Sequence, residues 1–229
     1  MSRRRLLYSK PLIGGSTSYA SAAIGNILLS DKSYVTVAQW NAGGYLPAIG
    51  VIFGNSSGVL RVLALTKSSG IKWDNATTPG DLSLTNYDLD DYSDINGLSN
   101  TATIVAALGN NSTHAAGYCY NYTTDGTVAH DWYLPAFGEG KMIIDNFNTI
   151  NTALSALSAS LIKNNTDTDF ANNTGEVYWC STELDSDGVK AAVVLCYSSG
   201  FDRGFVDKNA VSPFYWVYLV ARPCLKITY

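Results

Sequence analysis

The apolar residues of this chain come in short, mostly aliphatic and β-branched runs, each closed off by Gly, Asn, Ser or Pro. Residues 24–29, 46–53 and 59–65 have this form near the start, and from Gly175 onward residues 177–182, 189–197, 201–206 and 215–227 have the texture of strands with turns between. Short runs bounded by turn formers read as strands. Many such strands must pair into sheets and bury at least one face, because a lone strand or hairpin has too little core to hold it. Gly54-Asn55-Ser56-Ser57-Gly58 joins the second run to the third and reads as a hairpin connection. Apart from Lys190, residues 189–196 are apolar on both faces, as expected of a central strand. Pro223 has no N–H to give to a ladder, so within a strand it needs an edge or bulged place.

One segment has a different period. After Pro135, the residues Ile143, Phe147, Ile150, Leu154, Leu157 and Leu161 recur at alternating spacings of four and three, the stripe of an amphipathic helix. Asn146, Asn148 and Asn151 are poor helix-interior residues, which predicts two short helices meeting near Phe147 and packing on a sheet. Residues 101–108 predict a further short helix, and the polar stretch 67–100 before it predicts a long surface loop. Residues 1–23 hold no sustained period and predict an extended arm or attachment segment, leaving 24–229 as one mixed α+β domain.

With 229 residues, 46% hydrophobic and 15% charged, the chain can bury a full core. Its 20 Gly and 15 Tyr, with abundant Asn, Ser and Thr, describe a polar, weakly charged surface rich in turns and rings, suited to an extracellular or virion setting. A net charge of -4 gives no electrostatic footprint for a phosphate backbone, which needs clustered Lys and Arg to release its counterions, and this argues against nucleic acid as a partner. The basic cluster Arg3-Arg4-Arg5 is followed by an apolar stretch interrupted at Ser9, Lys10 and Pro11, so no signal peptide is predicted. No apolar run is long enough to insert in a membrane. Cys119, Cys180, Cys196 and Cys224 stand singly in apolar or aromatic strings and predict free buried thiols.

Catalytic patterns are weak. The string around Ser56 also matches G-x-S-x-G, but a nucleophile elbow needs a helix after the serine, and residues 59–65 read as strand. The two histidines, His114 and His130, lie in no triad or zinc-binding pattern. No enzyme activity and no cofactor are predicted, with calcium as the one cofactor candidate. Asp167 and Asp169 with Glu176, and Glu183, Asp185 and Asp187, put hard oxygen ligands on loops. Neither set completes an EF-hand, and solvated loop carboxylates are the plainer reading.

Three strings in order carry a resemblance: Asp131-Trp132-Tyr133-Leu134-Pro135, then Tyr178-Trp179-Cys180-Ser181-Thr182-Glu183, then Arg222-Pro223. Together they resemble the variable proteins of diversity-generating retroelements, whose best-known relatives are phage receptor-binding tail proteins. Arg3-Arg4-Arg5-Leu6-Leu7 is similar to the opening of gut-bacterial prophage members. Gly140 departs from the pattern, standing where an apolar residue usually follows the Gly-Glu, and Ala221 replaces the usual Val. The resemblance implies a C-type lectin-like fold of small antiparallel sheets, two or three helices and long loops, with a variable ligand-binding region over about 178–226. It implies a bacterial cell-surface protein or glycan as ligand, a phage tail location after synthesis in the bacterial cytoplasm, and docking to a tail fibre through residues 1–23.

In such proteins mutation is directed to adenines, and Asn-type codons varied at their first two bases cannot yield Lys, Glu or Trp. Lys208 and Trp216 are therefore read as fixed. The binding positions implied are Phe201, Asp202, Arg203, Phe205, Asp207, Asn209, Val211, Ser212, Phe214, Tyr215 and Tyr218, flanked by Leu184, Asp187 and Val189. Tyr and Phe on braced loops provide contact area at low entropy cost. Phe201, Phe205, Phe214 and Tyr215 also suit a buried core, so both places stay open for them. A bacterial surface adhesin of the same fold with a fixed ligand is the alternative function.

Overall fold

The computed structural model describes residues 12–76, 80–82, 84, 92–165, 175–184, 188–197, 200–210 and 217–229. Six strands make the first sheet: β1 (Ile27–Leu29), β2 (Tyr34–Val35), β3 (Ala48–Ser56), β4 (Val59–Ala64), β5 (Trp132–Tyr133) and β11 (Cys224–Thr228). Their order is β2-β1-β3-β4-β11-β5, with every pair antiparallel. The second sheet holds β6 (Asn164–Asn165), β7 (Gly175–Glu183), β8 (Lys190–Tyr197), β9 (Gly200–Asp207) and β10 (Val217–Val220). Its order is β10-β7-β8-β6, and β9 also pairs with β8. Here β10 lies parallel to β7 and β6 parallel to β8, while β7, β8 and β9 are antiparallel neighbours. The helices are α1 (Val37–Ala42), α2 (Gly97–Leu108), α3 (Ala115–Tyr120), α4 (Phe137–Asp145) and α5 (Phe147–Ala156). The α+β class expected from the sequence is what the chain forms.

The hairpin between β3 and β4 turns on Ser57 and Gly58, both at positive φ, 52° and 73°. Two positive φ values in a two-residue loop match the twist of the flanking strands, and glycine accepts its share without a Cβ clash. The predicted break in the helical stripe falls at Asn146, which ends α4 and begins α5 and donates its side-chain amide to the Met142 carbonyl at 2.9 Å. Ile143, Ile150 and Leu154 are buried between the sheets and helices, and the stripe runs out at Leu161, which is exposed. Gly140 on α4 is closely packed. A Cβ there would lie 2.9 Å from Cys180 Sγ and 3.1 Å from a Val194 methyl, leaving no room for an apolar side chain.

The core falls on both faces of both sheets. Val51, Phe53 and Leu63 meet Tyr178, Cys180, Ala192 and Val194 in one cluster, which ties the first sheet to the second. The alternate residues of the second sheet, Val177, Trp179, Ala191, Val193 and Leu195, turn the other way onto Trp73, Ile104, Val105 and Leu134. β8 is therefore central and buried on both faces, as its unbroken apolar run predicts.

Two expectations are corrected. Residues 67–76 are loop but not all surface: Ile71 N donates to Leu219 O and Ser68 N to Ala221 O, each at 2.8 Å, and Trp73 is fully buried. The chain is drawn in because β10 would otherwise leave open backbone groups at the sheet edge. Residues 215–227 hold two strands in different sheets rather than one, with Ala221, Arg222 and Pro223 crossing between them, so Pro223 costs no ladder bond. The described part of the segment expected as an extended arm or attachment segment, residues 12–23, lies along the first sheet. Ser16 exchanges backbone bonds of 2.7 and 2.8 Å with Tyr34, and Asn55 Nδ2 donates to the carbonyls of Tyr19 and Ala22 at 2.8 Å.

Burial also sets an alkaline limit on stability. Desolvation pushes the Tyr118 phenol up to about 12 and raises Tyr133 and Tyr178 as well, with nearby Glu139 and Glu176 adding to the last two. Raised folded values mean that unfolding releases protons above the ordinary phenol value of 10.0, so stability present below pH 10 is lost as pH rises toward about 12. A spectroscopic phenol titration is expected to show these rings ionising last, together with unfolding. Independent ionisation of all rings near pH 10 with the fold intact would contradict the burial.

Candidate binding surface

β8 and β9 pair without interruption, from Lys190 opposite Asp207 to Tyr197 opposite Gly200. This hairpin carries the β9 members of the predicted binding positions, whereas Tyr218 lies on β10 at the other edge of the second sheet. Phe201, Asp202 and Arg203 sit in β9 opposite Cys196, Leu195 and Val194, and their side chains lie outside the described residues. Phe205 faces inward instead. It is half-buried, packs on the main core and has its ring centre 6.1 Å from that of Phe137, so its larger part is scaffold. Asp207 at the strand end is exposed and Asn209 is half-buried. Tyr218, on edge strand β10, is 48% exposed. Leu184 and Val189 are half-buried beside the start of β8. Asp187, Val211, Ser212, Phe214, Tyr215 and Trp216 lie outside the described residues.

Between Asp207 and Asn209 stands Lys208, with no exposed surface at all. Its ammonium pairs with Glu183, donates to the carbonyls of Gly80 (2.7 Å) and Gly188, and lies 4.6 Å from the centre of the Trp73 ring. Glu183 in turn accepts from the backbone N–H of Leu82 and Leu84, at 3.2 and 3.1 Å. The Lys208 carbonyl accepts from Trp73 N and Asp74 N, each at 2.9 Å. A buried lysine is costly unless its charge and all three donors are met, and here they are. One side chain thereby fastens together Trp73 and Gly80, Glu183 and Gly188, and the end of β9.

The calcium candidates divide accordingly. Glu183 is spent on Lys208, and Glu176 on Lys67, with the Tyr178 hydroxyl donating to it at 2.8 Å, so both are corrected from solvated loop carboxylates to buried partners of cations. Asp167, Asp169, Asp185 and Asp187 lie outside the described residues, and among the described residues no three His, Cys, Asp or Glu side chains are grouped to hold a metal. Ser56 is exposed at the end of β3 and is followed by a turn and a strand, so the elbow context is absent. His114 caps α3, its Nδ1 accepting from Gly117 N at 3.2 Å, and His130 stacks on Tyr120 with ring centres 4.0 Å apart.

All three strings behind the family resemblance are framework. Trp132, Tyr133 and Leu134 are fully buried, as is the run from Tyr178 to Glu183. Arg222 spans the crossing between sheets, with Nε on Ala64 O at 3.0 Å and Nη2 on Ser160 O at 2.7 Å. Glu139, which follows the first string, accepts from Tyr133 Oη (2.8 Å), Ala136 N (3.0 Å) and Arg61 Nε (3.1 Å). Cys119, Cys180 and Cys224 are free and buried, and burial pushes each thiol well up. Because the thiolate is the reactive form, a disulfide-exchange reagent is expected to leave these three untouched in the native protein and to label them after denaturation.

Sequence reasoning missed the Lys208–Glu183–Trp73 knot as a structural unit. Its one signal was a large aromatic, Trp73, two residues from Ile71 in an otherwise polar stretch.

No family model matches the chain, and no curated protein matches it. Among solved structures, the crystal structure of a fimbrial protein from Bacteroides ovatus superposes with a TM-score of 0.60 over 90% of this chain, at 15% identity. This chain spans 49% of that one, about half its length, and at such identity the likeness is one of fold.

Proposed function

We propose that this chain is a receptor-binding variable protein, with a C-type lectin-like scaffold displaying diversified side chains from the rim of its second sheet to a bacterial surface ligand. One observation carries the proposal. Lys208, which adenine-directed variation of Asn-type codons cannot produce, is completely buried, while its neighbours Asp207 and Asn209 are exposed and half-buried. A boundary between fixed and variable codons thus coincides with a boundary between scaffold and surface. The burial of the Trp132, Trp179 and Arg222 strings supports the same division, and Tyr218 supplies an exposed aromatic of the sort that paratopes use. Phage tail location, docking to a tail fibre through residues 1–23 and the absence of catalysis belong to this proposal.

Sequencing sibling isolates tests it. Substitutions are expected to concentrate at codons such as those of Asp207, Asn209 and Tyr218 and to spare Lys208, Glu183 and Arg222, with a near-duplicate of the terminal coding segment beside a reverse transcriptase gene. Even scatter of substitutions along the gene would sink it. A second proposal, an adhesin of the same fold with a fixed ligand, draws on the fold likeness to a fimbrial protein. Conserved rim residues among siblings, with glycan-array binding that a chelator abolishes, would favour that adhesin in a calcium-dependent form.

A further inference from the structure

Tyr218 stands beside a charged cluster that the sequence did not connect to it. In the parallel pairing of β10 with β7, Tyr218 is the register partner of Glu176, so the two side chains leave the same face of the sheet as neighbours. Glu176 pairs with Lys67, and Lys163 Nζ lies 3.8 Å from its other oxygen. Arg222 lies behind the cluster and is 2% exposed, and its Nη1 has no hydrogen-bond partner among the described residues. Three cations thus bear on one carboxylate, and Lys163, at 41% side-chain exposure against 16% for Lys67, reaches furthest into solvent.

The ring has its own support. A Cβ on Gly70 would lie 3.1 Å from Tyr218 Cδ1, so the ring rests against bare backbone at Gly70 and is 48% exposed. A tyrosine braced in this way offers an aromatic surface of negative quadrupole at little entropic cost. The polarised C–H groups of a pyranose fit such a surface. The edge of β10 is already occupied by residues 68–71, through Ser68 N to Ala221 O and Ile71 N to Leu219 O, so an extended peptide cannot add to the sheet there.

We infer that Tyr218 and the Lys67–Glu176–Lys163 cluster form a subsite for a sugar bearing a carboxylate, such as a uronic or nonulosonic acid residue. The sugar's C–H face stacks on Tyr218, and its carboxylate takes a charge-assisted hydrogen bond from Lys163. Glu176 acts as a positioning residue, holding both lysines. The inference rests on the receptor-binding proposal and names a ligand class for it, with Lys67, Lys163 and Glu176 as an unvaried base and Tyr218 as the variable element.

The test titrates the full chain with the methyl glycosides of N-acetylneuraminic acid and glucuronic acid, with methyl glucoside as the neutral control, by saturation-transfer NMR and calorimetry. Binding of an acidic glycoside is expected to be at least about tenfold stronger than that of the neutral one, the worth of one charge-assisted bond. Lys163→Gln should abolish the preference and Tyr218→Ala the binding itself, and both are surface changes that leave thermal unfolding in place. Equal binding of acidic and neutral sugars, no binding of either acid, undiminished binding in Tyr218→Ala, or binding of oligoglutamate in place of the sugars each overturns the subsite. Sibling sequencing reads codons and not affinity, so codon variation without saccharide binding removes this inference alone.

Discussion

Lys208→Met is expected to destabilise the protein by about 3–5 kcal/mol, the cost of leaving a buried carboxylate without its counter-charge. Glu183 would keep the N–H groups of Leu82 and Leu84 but lose the ammonium, and the carbonyls of Gly80 and Gly188 would lose their donor. Adding Glu183→Gln removes the stranded charge while keeping an acceptor for the backbone, so the double variant should recover to within about 1–2 kcal/mol of the parent. Urea denaturation of the two single variants and the double measures this. Amide exchange supplies the local readout: residues 80–84, 188–190 and 207–210 should open together in Lys208→Met, because one side chain holds all three. A loss under about 1 kcal/mol, as for an exposed lysine pair, would contradict the burial of the pair.

Trp73→Ala should cost about 3–5 kcal/mol, the range for deleting a fully buried large aromatic. The ring packs with Ile71, Trp179 and Leu219, its Nε1 donates to Cys180 O at 2.8 Å, and its face lies under the Lys208 ammonium. On the sequence alone this residue falls in a polar stretch expected to be surface loop, where the same change would move stability by about 0.5 kcal/mol or less. Thermal or urea unfolding therefore separates the two placements by a wide margin. Because Trp73 and Lys208 touch, the double variant should lose less than the sum of the single changes.

The parts of the fold legible in the sequence are those that depend on neighbours along the chain. The strand runs, the turn at Ser57-Gly58 and the break at Asn146 each follow from the conformational preferences of a few consecutive residues. The unbroken apolar run of β8 likewise announced a strand buried on both faces. For the candidate surface, the codon logic of the family resemblance singled out Lys208 as fixed, but not why.

The rest rested on distant pairing. Glu183 reads as a loop carboxylate until Lys208, 25 residues on, is folded against it. Trp73 is buried only because β10 leaves an edge for residues 68–71 to cover, and Tyr218 meets Glu176 only through the register of a parallel strand pair. Phe205 shows the same divide within one strand: its type suits a paratope or a core, and packing toward Phe137 turned it largely inward. By itself the sequence determined which segments are strand, helix and turn, since those preferences are local and are expressed wherever the segment lies. Tertiary structure alone decided which charges are buried and paired and which ring is presented, because desolvation and ion pairing depend on what the folded chain brings alongside.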